Sequence, residues 1–485
     1  MLRSWPRLAC LAATVFGIVA CGAPPIDESV DLRAAFVAKN VCSGLFVSGR
    51  DEADFLTRDL TYVDLEGLAV GVDRTAQRVT VAVDVNEDED EIGLLRTAVF
   101  HAGHGCTLLP RGQEDVLFDP TPVRSSLPGG TLQDWPMGDR LSEAPLPPEI
   151  DPAALDLAVA AAFEEDPAGP PVDTRALTIV YRGRLVAERY APGFDQDSVM
   201  ISWSMGKSIT AALIGVLVGD GQFDLDDPAP ILAWRQPGDP RGAITIRHLL
   251  QMSSGLTFSR LTRDDPRFYT HQNDHNYVYN EGIDVFAHAV RPALEHPPGT
   301  LGRYRNSDPL ALGKIVRDTV EARGGDYITF PQRALFDRIG MRDMVLERDP
   351  YGNLVLTGYD HGTARDWARF GLLHLQDGVW QGERILPEGW VDAVSTAAPA
   401  WPEGNYGGLF WRNGNGALPD VPEDAFWASG ARGQRTFVIP SADLVVVRMG
   451  YSLDGATLSA NLNRVLAGIL AAVGHPPASP MPTDS

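Results

Sequence analysis

Ile201-Ser202-Trp203-Ser204-Met205-Gly206-Lys207-Ser208-Ile209-Thr210 runs without a break into the apolar stretch 211–218. As a helix, this segment carries Ser204 in its first turn and Lys207 three residues on, on the same face, where a hydroxyl and an amine meet. Of 41 basic residues only Lys39, Lys207 and Lys314 are lysines. Arginine keeps its proton, whereas a desolvated lysine becomes a neutral base able to activate a serine. A phosphate loop ending in Gly206-Lys207-Ser208 requires a glycine where Ile201 stands, and that excludes nucleotide binding by this motif. Residues 209–218 are apolar nearly all round, so the helix is expected at the centre of a domain, ending near Gly219 or Gly221. Polar groups at the start of a buried helix must open onto a cleft or be stranded. Ser-x-x-Lys alone favours the start of an ordinary helix with a solvated lysine.

Working outward, a hairpin is expected from 176–181 and 185–190 around Arg182-Gly183-Arg184, preceded by a short helix at 155–163. Downstream come a helical stretch at 246–252 with Ser253-Ser254-Gly255-Leu256, then a polar stretch at 262–279 holding Tyr269, His271, His275, Tyr277 and Tyr279. That stretch reads as a pocket wall or as a surface loop. Arg303-Tyr304-Arg305-Asn306-Ser307-Asp308 precedes a helix at 310–322, and Thr363 is the expected cap of another helix. Strands at 437–440 and 444–449, a last helix at 458–473 and a disordered tail at 476–485 complete the chain. Mixed strands among clusters of helices predict an α/β fold with an antiparallel sheet and an inserted helical subdomain over 153–475.

Residues 1–20 read as an export signal: Arg3 and Arg7 precede an apolar core, 8–19, too short to span a bilayer. Ile18-Val19-Ala20-Cys21-Gly22 resembles a bacterial lipoprotein signal, with Cys21 lipidated on an extracytoplasmic face; simple cleavage and secretion is the alternative. Cys42 and Cys106 then remain as an even pair in an oxidising compartment, so a disulfide is expected. Residues 21–125 form a small N-terminal α+β region with strands at 68–72 and 79–83 and a solvated acidic loop at 87–91, and 126–152 reads as a linker. His101 and His104 lack a second ligand pair, so no metal site is expected. The net charge of -23 argues against nucleic acid or an acidic membrane surface as partner, leaving the N-terminal lipid as the membrane contact. Oligomeric state is not legible.

Ser204-x-x-Lys207, Tyr304-x-Asn306 and a glycine-bearing strand at Ser429-Gly430-Ala431-Arg432-Gly433-Gln434 occur in the order of the serine β-lactamase and penicillin-binding protein superfamily. The chain most resembles the class C β-lactamase-like serine hydrolases, in the branch typified by 6-aminohexanoate-dimer hydrolase. Ser253-Ser254-Gly255-Leu256 and the helix start Ala364-Arg365-Asp366-Trp367-Ala368-Arg369-Phe370-Gly371 add to the likeness over 174–472. The resemblance implies a β-lactamase/transpeptidase-like fold with no metal or organic cofactor. It implies Ser204 as nucleophile, Lys207 or Tyr304 as the base, and Tyr304 as the proton carrier to the leaving group. Asn306 holds the substrate amide and Lys207, and the backbone N–H groups of Ser204 and Ala431 hold the oxyanion. Matching Gly430 to the family's Lys-Thr-Gly glycine puts Ala428 where the family has its strand lysine, with Arg432 either supplying the missing charge or forming a strand-end salt bridge.

The resulting expectation is an exported serine hydrolase cleaving a small amide or ester through a Ser204 acyl-enzyme. A β-lactamase or D-Ala-D-Ala carboxypeptidase is the enzymatic alternative, disfavoured by Ala428. An inactive envelope binding protein is the other, disfavoured by the intact set Ser204, Lys207, Tyr304 and Asn306.

Overall fold

The computed structural model describes residues 28–84, 92–258 and 273–475. Its first element is a helix, Glu28–Cys42, lying against a four-stranded antiparallel sheet. The strands are β1 (Leu68–Asp73), β2 (Arg78–Asp84), β3 (Ile92–His101) and β4 (Gly105–Leu108), paired in that order. Alternation along β2 turns Val79 and Val81 into a small core with Ala34, Ala38 and Val41 of the helix. The expected Cys42–Cys106 disulfide is present and ties the end of the helix to β4. The acidic loop at 87–91, the export signal with Cys21, and the tail lie outside the described residues. Among the described residues no helix is long and apolar enough to cross a membrane.

From residue 150 the chain builds a second, larger core. The hairpin β5 (Thr174–Tyr181) and β6 (Arg184–Tyr190) is followed by short strands β7 (Met200–Ile201), β8 (Val345–Leu346) and β9 (Asp360–Gly362), a small hairpin β10 (Val379–Trp380) and β11 (Glu383–Arg384), and then β12 (Trp411–Arg412), β13 (Phe426–Gly430), β14 (Gln434–Ile439) and β15 (Leu444–Gly450). The main sheet is antiparallel in the order β12-β13-β14-β15-β5-β6, so the hairpin expected at 176–190 adds to one edge of the C-terminal strands. Leu177, Ile179 and Tyr181 face helices Pro152–Ala161 and Gly455–Ala472. Ala176 and Val180, on the opposite face, join a core with helices Gly206–Gly219 and Ala364–Leu375. Between Gly219 and β8 the described residues form helices and loops, including Val285–Ala289 and Ser307–Ala322, which is the inserted helical part. This is the expected α/β arrangement.

The stretch read as a linker, 126–152, is a tightly held strap. Arg369 donates to Pro136 O and Gly138 O, each at 2.7 Å, and Arg342 donates to Pro128 O at 2.8 Å. Its Pro and Gly content reflects a chain without regular structure. The arginines that hold it come from distant segments, one of them the Ala364–Leu375 helix.

The N-terminal region is joined to the larger core through buried polar groups. Lys39 pairs with Glu347, with side-chain exposures of 5% and 0%. Ser43 Oγ donates to Glu347 Oε1 at 2.9 Å, and the Cys106 N–H donates to the same oxygen at 2.7 Å. Asn40 Nδ2 donates to Tyr359 OH at 2.9 Å. Burial pushes the Lys39 ammonium down and the Glu347 carboxyl up, and each charge opposes the shift of the other.

Removing one partner strands the other, so Lys39→Met is expected to lower stability by about 3–5 kcal/mol in urea unfolding. The double variant Lys39→Met/Glu347→Gln, whose neutral amide oxygen still accepts from Ser43 and Cys106, is expected to recover most of that loss. A single-variant loss below about 1 kcal/mol, the range of a surface pair, would show that the joint is not held by this pair.

Candidate active site

Strand pairing sets the serine in place. In the β7–β9 ladder Ile201 stands opposite His361. Just beyond it Ser202 N donates to Asp360 O at 2.8 Å and Ser202 Oγ donates to the same carbonyl at 2.7 Å and to the Asp360 carboxyl. The chain then turns through a 3-10 turn, Trp203–Met205, into the helix Gly206–Gly219. Trp203 is left-handed, with φ of 49°, a strained conformation for a bulky residue and one that clusters at functional sites. From 202 to 217 every residue is buried except Ser204, so this segment reaches solvent at that residue.

Lys207 is 2% exposed. Its Nζ donates to Ser204 Oγ at 3.0 Å and to Thr357 O at 2.8 Å. The same carbonyl accepts from Tyr279 OH at 2.7 Å, and Asn306 Nδ2 donates to Tyr279 OH at 3.1 Å and to His275 O at 2.8 Å. Lys207 Nζ also lies 4.9 Å from the centroid of the Tyr304 ring, which is flanked by His275 at 5.9 Å and Trp411 at 5.6 Å. Ser204, Lys207, Tyr304 and Asn306, read from two separate stretches, thus converge. Tyr304 and Asn306 are held by the Ser253–Leu256 segment: Ser254 Oγ donates to Asp308 at 2.7 Å and Arg305 Nη1 to Leu256 O at 2.6 Å.

Gly430 ends β13 against the serine turn. A Cβ there would stand 2.0 Å from Ser202 O, so only glycine permits the approach. Ala431 follows it in the chain. Ala428 is fully buried, paired with Thr436 inside the sheet. Arg432 departs from expectation: its guanidinium lies 3.8 Å from the Tyr62 ring centroid and 5.9 Å from that of Tyr451. It is engaged by the N-terminal region, which the motif alignment did not cover. Arg435 instead reaches β13, with Nη1 donating to Gly430 O at 2.8 Å.

Sequence reasoning missed the Thr357 carbonyl and Asp360, and it left Tyr279 undecided. A carbonyl acceptor carries no side-chain signal. Within the polar stretch read as a pocket wall or a loop, His275 and Tyr279 join the site, Tyr277 packs on His288, and Tyr269 and His271 lie outside the described residues. Burial pushes the Tyr279 phenol up, so it stays a proton donor. Asp360 lies against Gly206, where a Cβ would meet its Oδ1 at 2.1 Å. Burial pushes its carboxyl up to about 7, opposed by the Ser202 hydrogen bond and the Lys207 charge. His101 and His104 have other partners, Asp115 and Thr121 O, each at 2.8 Å.

Comparison with known proteins converges on the same segment. The beta-lactamase family model matches residues 159–469. A 6-aminohexanoate-dimer hydrolase of Paenarthrobacter ureafaciens is 25% identical over 297 residues, covering 57% of this chain and 72% of the relative. Penicillin-binding protein 4 of Amycolatopsis lactamdurans is 27% identical over 342 residues, 59% of this chain and 82% of the relative. A solved Bacillus anthracis structure, described as a 6-aminohexanoate-dimer hydrolase, superposes with a TM-score of 0.53 at 22% identity, covering 63% of this chain and 81% of that one.

The raised Asp360 carboxyl fixes a sign. Between about pH 4, where an unfolded aspartate titrates, and about 7, the folded chain holds a proton that the unfolded chain has lost. Its contribution is present below that window and is lost as pH rises through it. Asp360→Asn is expected to make the fall in unfolding free energy from pH 4.5 to 6.5 shallower by about 1 kcal/mol per pH unit, read by urea titration at each pH. Equal slopes in the two proteins would show that Asp360 does not hold this proton.

Proposed function

The chain belongs to the beta-lactamase family of serine hydrolases, and from that premise we propose that it is an exported enzyme cleaving a small amide or ester through an acyl-enzyme on Ser204. The observation that carries this reading is the 3.0 Å hydrogen bond from a buried Lys207 to the one accessible hydroxyl at the start of a buried helix. In the proposed reaction Ser204 Oγ bonds to the substrate carbonyl carbon as its proton passes to Lys207 or to the Tyr304 phenolate. The carbonyl oxygen takes up the electron pair and is held by the N–H groups of Ser204 and Ala431. Collapse breaks the bond to the amine or alcohol, which leaves with the proton delivered through Tyr304. Water, deprotonated by the same group, then releases the acid and returns the proton to Ser204. Thr357 O and Tyr279 serve as fixed partners that keep Lys207 and Asn306 aimed at this centre.

Ala428 supports an amide or ester over a penicillin or a D-Ala-D-Ala peptide. Its methyl is buried in the core, so the strand offers no ammonium for a substrate carboxylate. The similarity to 6-aminohexanoate-dimer hydrolase supports a linear amide as the first substrate class to try. The N-terminal signal pattern with Cys21 supports export and lipid anchoring. The Cys42–Cys106 disulfide suits that compartment.

Intact mass spectrometry with a fluorophosphonate, a panel of short amides and esters, and a penicillin tests this reading. The expected result is one adduct on Ser204, none on Ser204→Ala, and a loss of about 10²- to 10⁴-fold in kcat/KM for Lys207→Met. Equal labelling of a folded Ser204→Ala would overturn the nucleophile, and rapid penicillin turnover would overturn the substrate class.

A further inference from the structure

Asn306 offers the Ser204 site one polarity only. Its side-chain amide has two N–H donors and one oxygen that accepts. Nδ2 faces His275 O at 2.8 Å and Tyr279 OH at 3.1 Å. A backbone carbonyl only accepts, so the group opposite it is the NH2 and not the amide oxygen. The contact with Tyr279 has the same sense. Burial pushes the Tyr279 phenol up, so it keeps its proton. That single proton points at Thr357, whose O lies at 2.7 Å and whose Oγ1 lies at 3.0 Å. Toward Asn306 the phenol oxygen is therefore an acceptor. Both Nδ2 hydrogens are taken, and turning the amide over would set its oxygen against two acceptors.

Oδ1 is what remains for a ligand. Among the described residues no group donates to it, and although Asn306 is only 2% exposed, Oδ1 is not among its atoms closed off from solvent. An acceptor in such surroundings discriminates by whether the ligand brings a donor, since leaving it unpaired costs about 1–3 kcal/mol. Asn306 stands two residues from Tyr304, the group that delivers the proton to the leaving atom in the proposed reaction. The leaving atom of a secondary amide carries an N–H, whereas that of an ester carries only lone pairs.

We propose that Asn306 Oδ1, held in this sense by Tyr279 and His275 O, accepts from the scissile N–H and so makes secondary amides the substrate class of this site, an inference that rests on the Ser204 acyl-enzyme reading. In the tetrahedral intermediate the nitrogen bears that hydrogen and a lone pair. With the N–H tied to Oδ1, the lone pair is left for Tyr304. The Tyr304 O–H gives its proton to that lone pair, the C–N bond breaks with its electron pair going to nitrogen, and a neutral primary amine departs. An ester oxygen at the same place sets a lone pair against Oδ1.

A p-nitroanilide and the p-nitrophenyl ester of the same short acyl group compare the two leaving atoms through the absorbance of the released product. Asn306→Ala removes the acceptor, and it is expected to lower the ratio of anilide to ester kcat/KM by about tenfold relative to the unaltered chain. Tyr279→Phe, which removes the oxygen that fixes Nδ2, is expected to lower the same ratio by at least about threefold. A merely structural role would lower both substrates together. Fluorophosphonate labelling of Ser204 needs no scissile N–H and reports the nucleophile separately. Labelled variants with an unchanged ratio would overturn the role of Asn306, whereas failure to label the unaltered chain would overturn the acyl-enzyme reading itself. A crystal structure of Ser204→Ala with the anilide bound tests the contact independently of whether the other variants fold. It is expected to place the scissile nitrogen about 2.8–3.2 Å from Asn306 Oδ1, and a substrate carbonyl oxygen accepting from Asn306 Nδ2 would overturn the proposal.

Discussion

A lysine amine held out of water between a serine hydroxyl and a backbone carbonyl is the constraint around which this molecule is built. The hydrogen bonds from Lys207 to Ser204 and Thr357 require the 357–360 segment to run beside the start of the helix Gly206–Gly219. Two backbone contacts meet that requirement: Ser202 on Asp360 across β7 and β9, and Gly430 against Ser202 at the end of β13. The second depends on a close approach that a larger side chain at 430 would prevent. Gly206 lies against Asp360 for the same reason.

The N-terminal region takes part in this arrangement. Its helix supplies Lys39, Asn40 and Ser43 to a buried network with Glu347 and Tyr359. Tyr359 in turn packs on Trp203 and Tyr279, at 5.4 and 5.3 Å between ring centroids. Two of the three lysines are therefore buried, one beside the serine and one at the joint that backs it. Arg432 is drawn onto Tyr62 by the same region, so the cation at the end of β13 faces a different neighbour from the one the strand alone implies.

Much of the larger core was legible because its signals are local. The 174–190 hairpin, the cap at Thr363, the apolar helix behind Ser204 and the strands after 434 each follow from turn residues, a capping residue or a period. The helix Glu28–Cys42 was not, since Asp31, Lys39 and Asn40 are polar residues on its buried side and break the apolar stripe. The 126–152 strap was read as a linker because arginines far along the chain, not its own residues, hold it in place.

The order and spacing of Ser204, Lys207, Tyr304, Asn306 and Gly430 were enough to mark the family, because that order is carried by the side chains themselves. Their distances, the part played by the Thr357 carbonyl, the raised Asp360 carboxyl and the reassignment of Arg432 were decided only by the tertiary structure. The Thr357, Asp360 and Arg432 contacts join groups more than a hundred residues apart out of water, where a backbone oxygen or a neighbouring ring determines what a side chain does.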